Sequence, residues 1–164
     1  MTKMIGPDYW MKNPGITAKG DRKEFIDPDL IPWTNWLMPG TQFKLFSCNL
    51  ATGAFTFLLN VDPGTKATPH WHVANLEVLI LKGGFYYEED DQGHAGYYTC
   101  ETAGTVHEPF APEGCLMFVI SQGPIGGYTD DGQLAVVADA HLHLKLAQAN
   151  DAAALTRVID YTVS

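Results

Sequence analysis

The stretch that decides the fold is residues 64–83, which read GTKATPHWHVANLEVLILKG. Two histidines, His70 and His72, stand two positions apart and are followed by an apolar run of β-branched and leucine residues. Residues two apart on a β-strand point to the same face and lie about 6.6 Å apart along the chain. On a strand, both imidazoles would therefore aim at one point while Trp71 faces away. The stretch predicts a strand that offers two ligands to a single metal ion.

Further donors follow along the chain. Glu77 comes after a four-residue interval, which is long enough for the chain to turn and bring a carboxylate back towards the same point. A third imidazole, His107, follows Gly104, which permits a tight turn. Three histidines and a carboxylate on a small β scaffold are typical of a mononuclear transition-metal site. A lone HxH pair is more often a surface feature, so the prediction depends on the full pattern.

The chain around these donors is rich in short β runs. Seven of them lie between residues 41 and 140, each bounded by Gly, Pro, Asn or Asp: TQFKLFSC, AFTFLLNV, EVLILK, FYYEE, GYYTC, CLMFVISQ and LAVVADA. Seven short strands in about a hundred residues predict an all-β sandwich or barrel with antiparallel strands. We expect this barrel to span residues 37–139, after an irregular, turn-rich N-terminal arm over residues 1–36.

Residues 140–164 are predicted to be a helical tail. The segment AHLHLKLAQA contains helix formers behind a capping Asp139, although HLHLKL also alternates like a strand. We favour a helix, followed by a second short helix from about Asp151. On a helix His141 and His143 lie about 200° apart and cannot share one ion, so we assign them no metal.

The complete motif resembles the cupin superfamily, whose fold is a double-stranded β-helix, also called a jelly roll or cupin barrel. Two sequence motifs mark this superfamily. The second of them, around His107, departs from the superfamily pattern at Thr102, where proline is usual, and at Ala111, where asparagine is usual. Neither position is normally a ligand, so the resemblance still implies a metal site. The matching positions of the two motifs are Gly64, His70, His72, Glu77, Gly83 or Gly84, Gly96, Gly104 and His107.

Residues 31–139 look more narrowly like the small single-domain cupins that include the acetylacetone-cleaving and 2,4'-dihydroxyacetophenone dioxygenases. That resemblance implies Fe(II) held by His70, His72 and His107. Zn, Ni or Mn are alternatives, because ligand type alone does not select among these metals. Glu77 would be either a fourth ligand or a partner that orients a histidine, and either it or Glu101 could act as the catalytic acid or base.

The strand after the first motif departs from these relatives. Family members often carry a basic residue there, but residues 84–88 read GFYYE, which suggests an apolar or aromatic pocket. Each candidate pocket residue has ordinary barrel packing as its alternative explanation. The substrate-binding candidates are Phe57, Phe85, Tyr87, Met117 and Val119.

Composition and charge exclude several classes of partner. The 164 residues carry a formal net charge of −9, which argues against nucleic acid and against anionic membranes. The first ten residues have no apolar signal region, and no run of eighteen apolar residues occurs. Three widely spaced cysteines suit a reducing compartment, so we expect a cytoplasmic protein.

The arginines further restrict the substrate. The sequence has two, Arg22 and Arg157, both far from the motifs, so a substrate that is neutral in solution and ionises only on the metal is expected. The resemblance implies a dioxygenase that uses O2 to cleave a carbon–carbon bond in a 1,3-diketone or hydroxyketone. The alternatives are a metal-dependent cupin isomerase or hydrolase, or a non-catalytic metal sensor. The aromatic arm suggests association as a homodimer or homotetramer.

Overall fold

A computed structural model describes residues 25–160 of the chain. Most of the predicted N-terminal arm lies outside these residues. The described chain forms a 3-10 helix (Pro28–Leu30), one α-helix, α1 (Ala140–Ala149), and fourteen strands. The strands are β1 (Thr34–Asn35), β2 (Thr41–Asn49), β3 (Phe55–Val61), β4 (Thr65–Lys66), β5 (His70–His72), β6 (Leu76–Glu88), β7 (Asp91–His94), β8 (Tyr98–Glu101), β9 (Val106–His107), β10 (Phe110–Ala111), β11 (Cys115–Ser121), β12 (Ile125–Tyr128), β13 (Leu134–Ala138) and β14 (Arg157–Ile159).

The strands form two sheets that curl into a barrel, so the predicted all-β cupin barrel is confirmed. The larger sheet has ten strands, of which seven follow the order β1-β2-β3-β11-β6-β10-β4. The other three pair with members of this series: β14 with β2, and β7 and β8 with β6. The smaller sheet has four strands in the order β13-β12-β5-β9. Strands β2, β3, β11 and β6 are antiparallel neighbours. Their inward side chains, such as Phe43, Phe57, Val78 and Val119, form the core.

Strand β6 changes its inward-facing side halfway along. The sequence suggested two strands here because Gly83 and Gly84 look like punctuation, but the structure has one strand of thirteen residues. The pairing with β11 shifts register between Leu116 and Met117, which marks a β-bulge. Gly83 has a φ of 68°, and a Cβ there would lie 2.1 Å from the Gly114 carbonyl oxygen. The bulge therefore turns even-numbered residues inward before it and odd-numbered residues inward after it.

The helix predicted behind Asp139 is confirmed as α1, and the Asp139 side chain caps it by accepting from the Leu142 N–H. The second helix predicted from about Asp151 is wrong. Asp151 adopts a φ of 53°, a left-handed conformation that ends α1, and the Ala152 N–H donates back to the Ala147 carbonyl at 2.8 Å. The chain then runs into β14, which pairs in parallel with β2.

Within residues 25–160 no helix is both long and apolar enough to cross a membrane.

Candidate metal centre

Three imidazoles meet where β5 lies beside β9 in the smaller sheet. His70 is the direct cross-strand partner of His107, and His72 follows on the same face of β5. The Nε2 atom of His107 lies 3.0 Å from Nε2 of His72 and 3.1 Å from Nε2 of His70. Because residues two apart on a strand share a face, His70 and His72 lie together, as predicted, and pairing of β5 with β9 places His107 beside them.

A buried carboxylate completes the group. Glu101, at the end of β8, is 8% exposed, and its Oε2 lies 3.0 Å from Nε2 of His72. Its Oε1 lies 3.7 Å from Nε2 of His107. One ligand atom from each of the four residues lies within 4.8 Å of all the others, so the group could hold a metal ion.

The donor chemistry fits a cation. The Nδ1 of His70 is 2.9 Å from the Thr68 carbonyl oxygen and can only donate to it, so the Nε2 of His70 carries a bare lone pair. Burial lowers the pKa of His107 to about 4 and also lowers the pKa of His70. Both imidazoles are therefore neutral near pH 7. Neutral imidazole nitrogens that point their lone pairs at one another repel, and a cation between them removes that repulsion.

The spacing of the nitrogens also fits. Metal–imidazole bonds are about 2.1 Å long, and two such bonds at a right angle place their nitrogens about 3.0 Å apart. The two spacings of 3.0 and 3.1 Å match this value, whereas tetrahedral bonds of the same length would need about 3.4 Å. These two spacings are the ones that neighbouring ligands on one side of an ion would have. His72 makes its polar contacts through Nε2, since its buried Nδ1 has no hydrogen-bond partner among the described residues.

Glu77 is not part of this group, and the prediction that it is a ligand or a catalytic acid is wrong. Cross-strand partners point to the same side of a sheet. Glu101 pairs with the inward-facing Leu76, whereas Glu77 pairs with the exposed Cys100. The Glu77 carboxylate accepts a hydrogen bond from the Gln122 side chain at 3.3 Å on the outer face of the barrel.

Tyr87 contacts two members of the group. Its hydroxyl donates a hydrogen bond to Oε1 of Glu101, and its ring stacks on His107 with the centroids 4.7 Å apart. Burial raises the pKa of Tyr87, so the hydroxyl keeps its proton. Burial alone would raise the pKa of Glu101, but the contacts with His72, His107 and Tyr87 outweigh it and the pKa is lowered. An ionised Glu101 thus accepts from a neutral phenol.

An apolar cavity of about 70 Å³ lies between the two sheets beside the histidines. Of the five predicted pocket residues, Phe57, Phe85, Met117 and Val119 line it. Tyr87 does not, because it faces an open cleft that includes Lys66 and His107. Twelve further lining residues were not predicted from the sequence, and Trp36, Met38 and Ile125 are among them.

The other histidine pair lies on α1, away from this group. His141 is exposed. His143 is fully buried, donates through Nδ1 to the Asp139 carbonyl at 2.7 Å, and accepts through Nε2 from the Trp36 indole at 2.9 Å.

The barrel and its inward-facing histidines define a cupin. The chain belongs to the family described as ChrR Cupin-like domain, whose profile matches residues 21–125. No protein of curated function matches the sequence.

Solved structures share the fold at low identity. A protein of unknown function with a cupin-like fold from Ralstonia eutropha JMP134 is 18% identical over 87% of this chain and 96% of its own, with a TM-score of 0.76. An RmlC-like cupin from the same organism is 23% identical over 85% and 93%, with a TM-score of 0.73. An acetylacetone dioxygenase from Acinetobacter johnsonii is 18% identical over 80% and 95%, with a TM-score of 0.71.

Proposed function

We propose that this chain is a metal-dependent dioxygenase that uses O2 to cleave a carbon–carbon bond in a 1,3-diketone or hydroxyketone. One observation carries the proposal: three imidazoles bring their Nε2 atoms to one place, and two of them, His70 and His72, line an apolar cavity. The ligands would be His70, His72 and His107, and the metal Fe(II), with Zn, Ni and Mn as alternatives. A metal held by these three residues would have room for a chelating substrate and O2.

Ligand charge supports a substrate that ionises on binding. The three histidines are neutral donors, so a bound divalent ion would keep its positive charge and stabilise an enolate that binds through two oxygens. The cavity lining contains no Lys or Arg among the described residues. A substrate that is already anionic in solution would find no Lys or Arg side chain in the cavity lining.

Glu101 is the proposed proton acceptor. Its Oε2 lies 3.0 Å from a proposed ligand atom, which puts the carboxylate within reach of a substrate on the metal. Tyr87 donates to Oε1 and so fixes the carboxylate with Oε2 turned towards His72. Removing the proton between the two carbonyl groups forms the enolate, and the same carboxyl group can return the proton to a product.

The cavity would hold the apolar substituents and keep water away. Its lining is almost entirely apolar, with His70, His72 and Glu101 at one side. In the overall reaction one carbon–carbon bond breaks and both atoms of O2 enter the products, which are a carboxylic acid and a second carbonyl compound. Exclusion of water protects the reactive species formed on the way.

Self-association as a homodimer or homotetramer is also proposed. The outer face of β6, β8 and β11 carries exposed apolar side chains, including Leu79, Tyr98 and Ile120. Neighbouring apolar side chains on an outer face favour burial against a second copy. Light scattering should give a dimer or tetramer, and a monomer at micromolar concentration would contradict this proposal.

The test of the activity is oxygen uptake by protein purified without air and loaded with Fe(II). We expect one O2 consumed for each molecule of a small 1,3-diketone, and no uptake by zinc-loaded protein. A fully iron-loaded sample that consumes no O2 with diketones or hydroxyketones would overturn the dioxygenase proposal. Conversion of the same substrates by the zinc-loaded protein without O2 would instead identify a hydrolase or isomerase.

A further inference from the structure

Trp36 stands between two cavities. The inner cavity lies beside the histidines, and an outer cleft of about 180 Å³ lies against it. Leu37, Thr68 and Tyr128 line the outer cleft but not the inner cavity. Four residues line both spaces and therefore form the partition between them: Trp36, Met38, His70 and Ile125.

This partition reaches the metal centre. His70 is one of the proposed ligands and is the member of the group that borders both spaces. A substrate bound at the metal would therefore extend its substituent either into the small inner cavity or towards Trp36. The inner cavity is about five times the 10–15 Å³ that one water needs, so it accepts compact substituents only.

The Trp36 side chain is held by a buried histidine on α1. The indole N–H donates to Nε2 of His143 at 2.9 Å. The Nδ1 of His143 donates to the Asp139 carbonyl, which fixes the tautomer and makes Nε2 an acceptor. The His143 ring stacks on Phe55 with centroids 3.9 Å apart and is wholly buried.

Movement of Trp36 would leave His143 without its donor. A buried polar atom that loses its partner is unfavourable because no water replaces it. The Trp36 ring also packs against Phe57, with centroids 5.8 Å apart, and Phe57 itself lines the inner cavity. One hydrogen bond from α1 and one aromatic contact from β3 therefore set the position of the partition.

We infer that Trp36 is a specificity-determining residue that limits the substrate to small substituents, and that His143 is the positioning residue that holds it. The inference rests on the proposed function, because it places the substrate on the metal beside His70. It restricts the substrate class to diketones or hydroxyketones with substituents about the size of a methyl or ethyl group. Aryl-substituted compounds would collide with the indole.

The test measures binding rather than turnover. Protein loaded with Fe(II) without air is titrated with acetylacetone and with its phenyl-substituted analogue, and the absorption of the metal-bound diketonate gives each Kd. We expect Trp36→Ala to shift the ratio of the two Kd values at least tenfold in favour of the phenyl compound, since such pockets discriminate by about 10- to 200-fold. Leu37→Ala, which changes the outer cleft alone, should leave the ratio within twofold.

His143 is tested by two variants that keep different features. His143→Phe keeps a ring on Phe55 but removes the acceptor, whereas His143→Gln can still accept from the indole. We expect His143→Phe to move the Trp36 indole N–H resonance, assigned with Trp36→Phe, and to shift the Kd ratio about threefold or more towards the phenyl compound. His143→Gln should restore both readouts at least in part. A Kd ratio unchanged in His143→Phe while the resonance moves would overturn the positioning role.

Failure of this inference can be told from failure of the proposed function. Diketone binding at the wild-type ratio in Trp36→Ala would overturn the partition and leave the metal site intact. If no variant binds a diketone at a fully loaded metal, the proposed function fails instead. Metal-free protein is then titrated with benzene and followed by NMR: binding gained in Trp36→Ala but absent in wild type supports the partition, and equal behaviour of the two overturns it.

Discussion

The Nε2 atoms of His72 and His107 lie 3.0 Å apart, although the residues belong to different strands and are separated by thirty-five positions. Two nitrogens with bare lone pairs repel at this distance, so either one ring carries its proton on Nε2 and donates to the other, or a cation lies between them. Burial lowers the pKa of His107 to about 4, so that ring does not take up a second proton near pH 7. A cation between the two nitrogens would satisfy both lone pairs at once.

The first prediction concerns metal retention. His107→Ala should bind substoichiometric metal after desalting, because only two of the three proposed imidazole ligands remain. His72→Ala should behave alike. Metal content per chain checks both, with His141→Ala as the control, since His141 is exposed on α1. Full occupancy in either ligand variant would show that the histidines are not the ligands.

Substitution of Glu101 and of Glu77 should have different effects on kcat. Glu101→Gln removes the proposed proton acceptor and should lower kcat by about 10²- to 10⁴-fold. Glu77→Gln should leave kcat and metal content unchanged, since this carboxylate contacts Gln122 on the outer face. Steady-state oxygen uptake measures both. An opposite ranking of the two variants would mean that β6 and β8 pair in a different register from the one described.

The Tyr87 hydroxyl should contribute to the free energy of unfolding. Tyr87→Phe keeps the ring on His107 but removes the hydrogen bond to the Glu101 carboxylate. Hydrogen bonds to charged groups contribute about 1.5–3 kcal/mol, so urea unfolding of the metal-free protein should report a loss of that size. Tyr86→Phe is the matched control, because the Tyr86 ring packs on Phe110 instead. Equal unfolding free energies for both variants would contradict the Tyr87–Glu101 contact.

Stability should fall in acid because of His143. Burial lowers the pKa of His143 to about 4, against the opposing effect of the Asp139 carbonyl and carboxylate. Since the unfolded chain binds a proton near pH 6.5 and the folded chain does not, the free energy of unfolding decreases as the pH falls from about 6.5 to 4. The decrease attributable to this group is on the order of 3 kcal/mol. His143→Gln should flatten the profile in that window, and an unchanged slope would assign the effect to other groups.

The sequence was sufficient for the histidines because strand parity is a local property. His70 and His72 had to share a face once β5 formed, and the second motif supplied His107. The sequence was not sufficient to decide which carboxylate faces the histidines. Whether Leu76 or Glu77 faces inward depends on how the turn at residues 73–75 meets β6, and that is decided by pairing with β8 and β11.

Elsewhere tertiary context overrode local preference. The residues after Asn150 include helix-forming alanines, but the left-handed turn at Asp151 redirects the chain to the edge of β2, where β14 pairs. Trp36 belongs to a segment without periodicity, so nothing local predicted that it lines the cavity. Its position follows from a hydrogen bond to a residue 107 positions away.

X-ray absorption on the Fe(II)-loaded protein tests the central claim most directly, because imidazole ligands give a distinct multiple-scattering signature. We predict three imidazoles at about 2.1 Å in the wild type, two in His107→Ala, and three in Glu77→Gln. Fewer than three imidazoles in the wild type, or a spectrum that changes with Glu77→Gln but not with His107→Ala, would contradict the proposed metal centre.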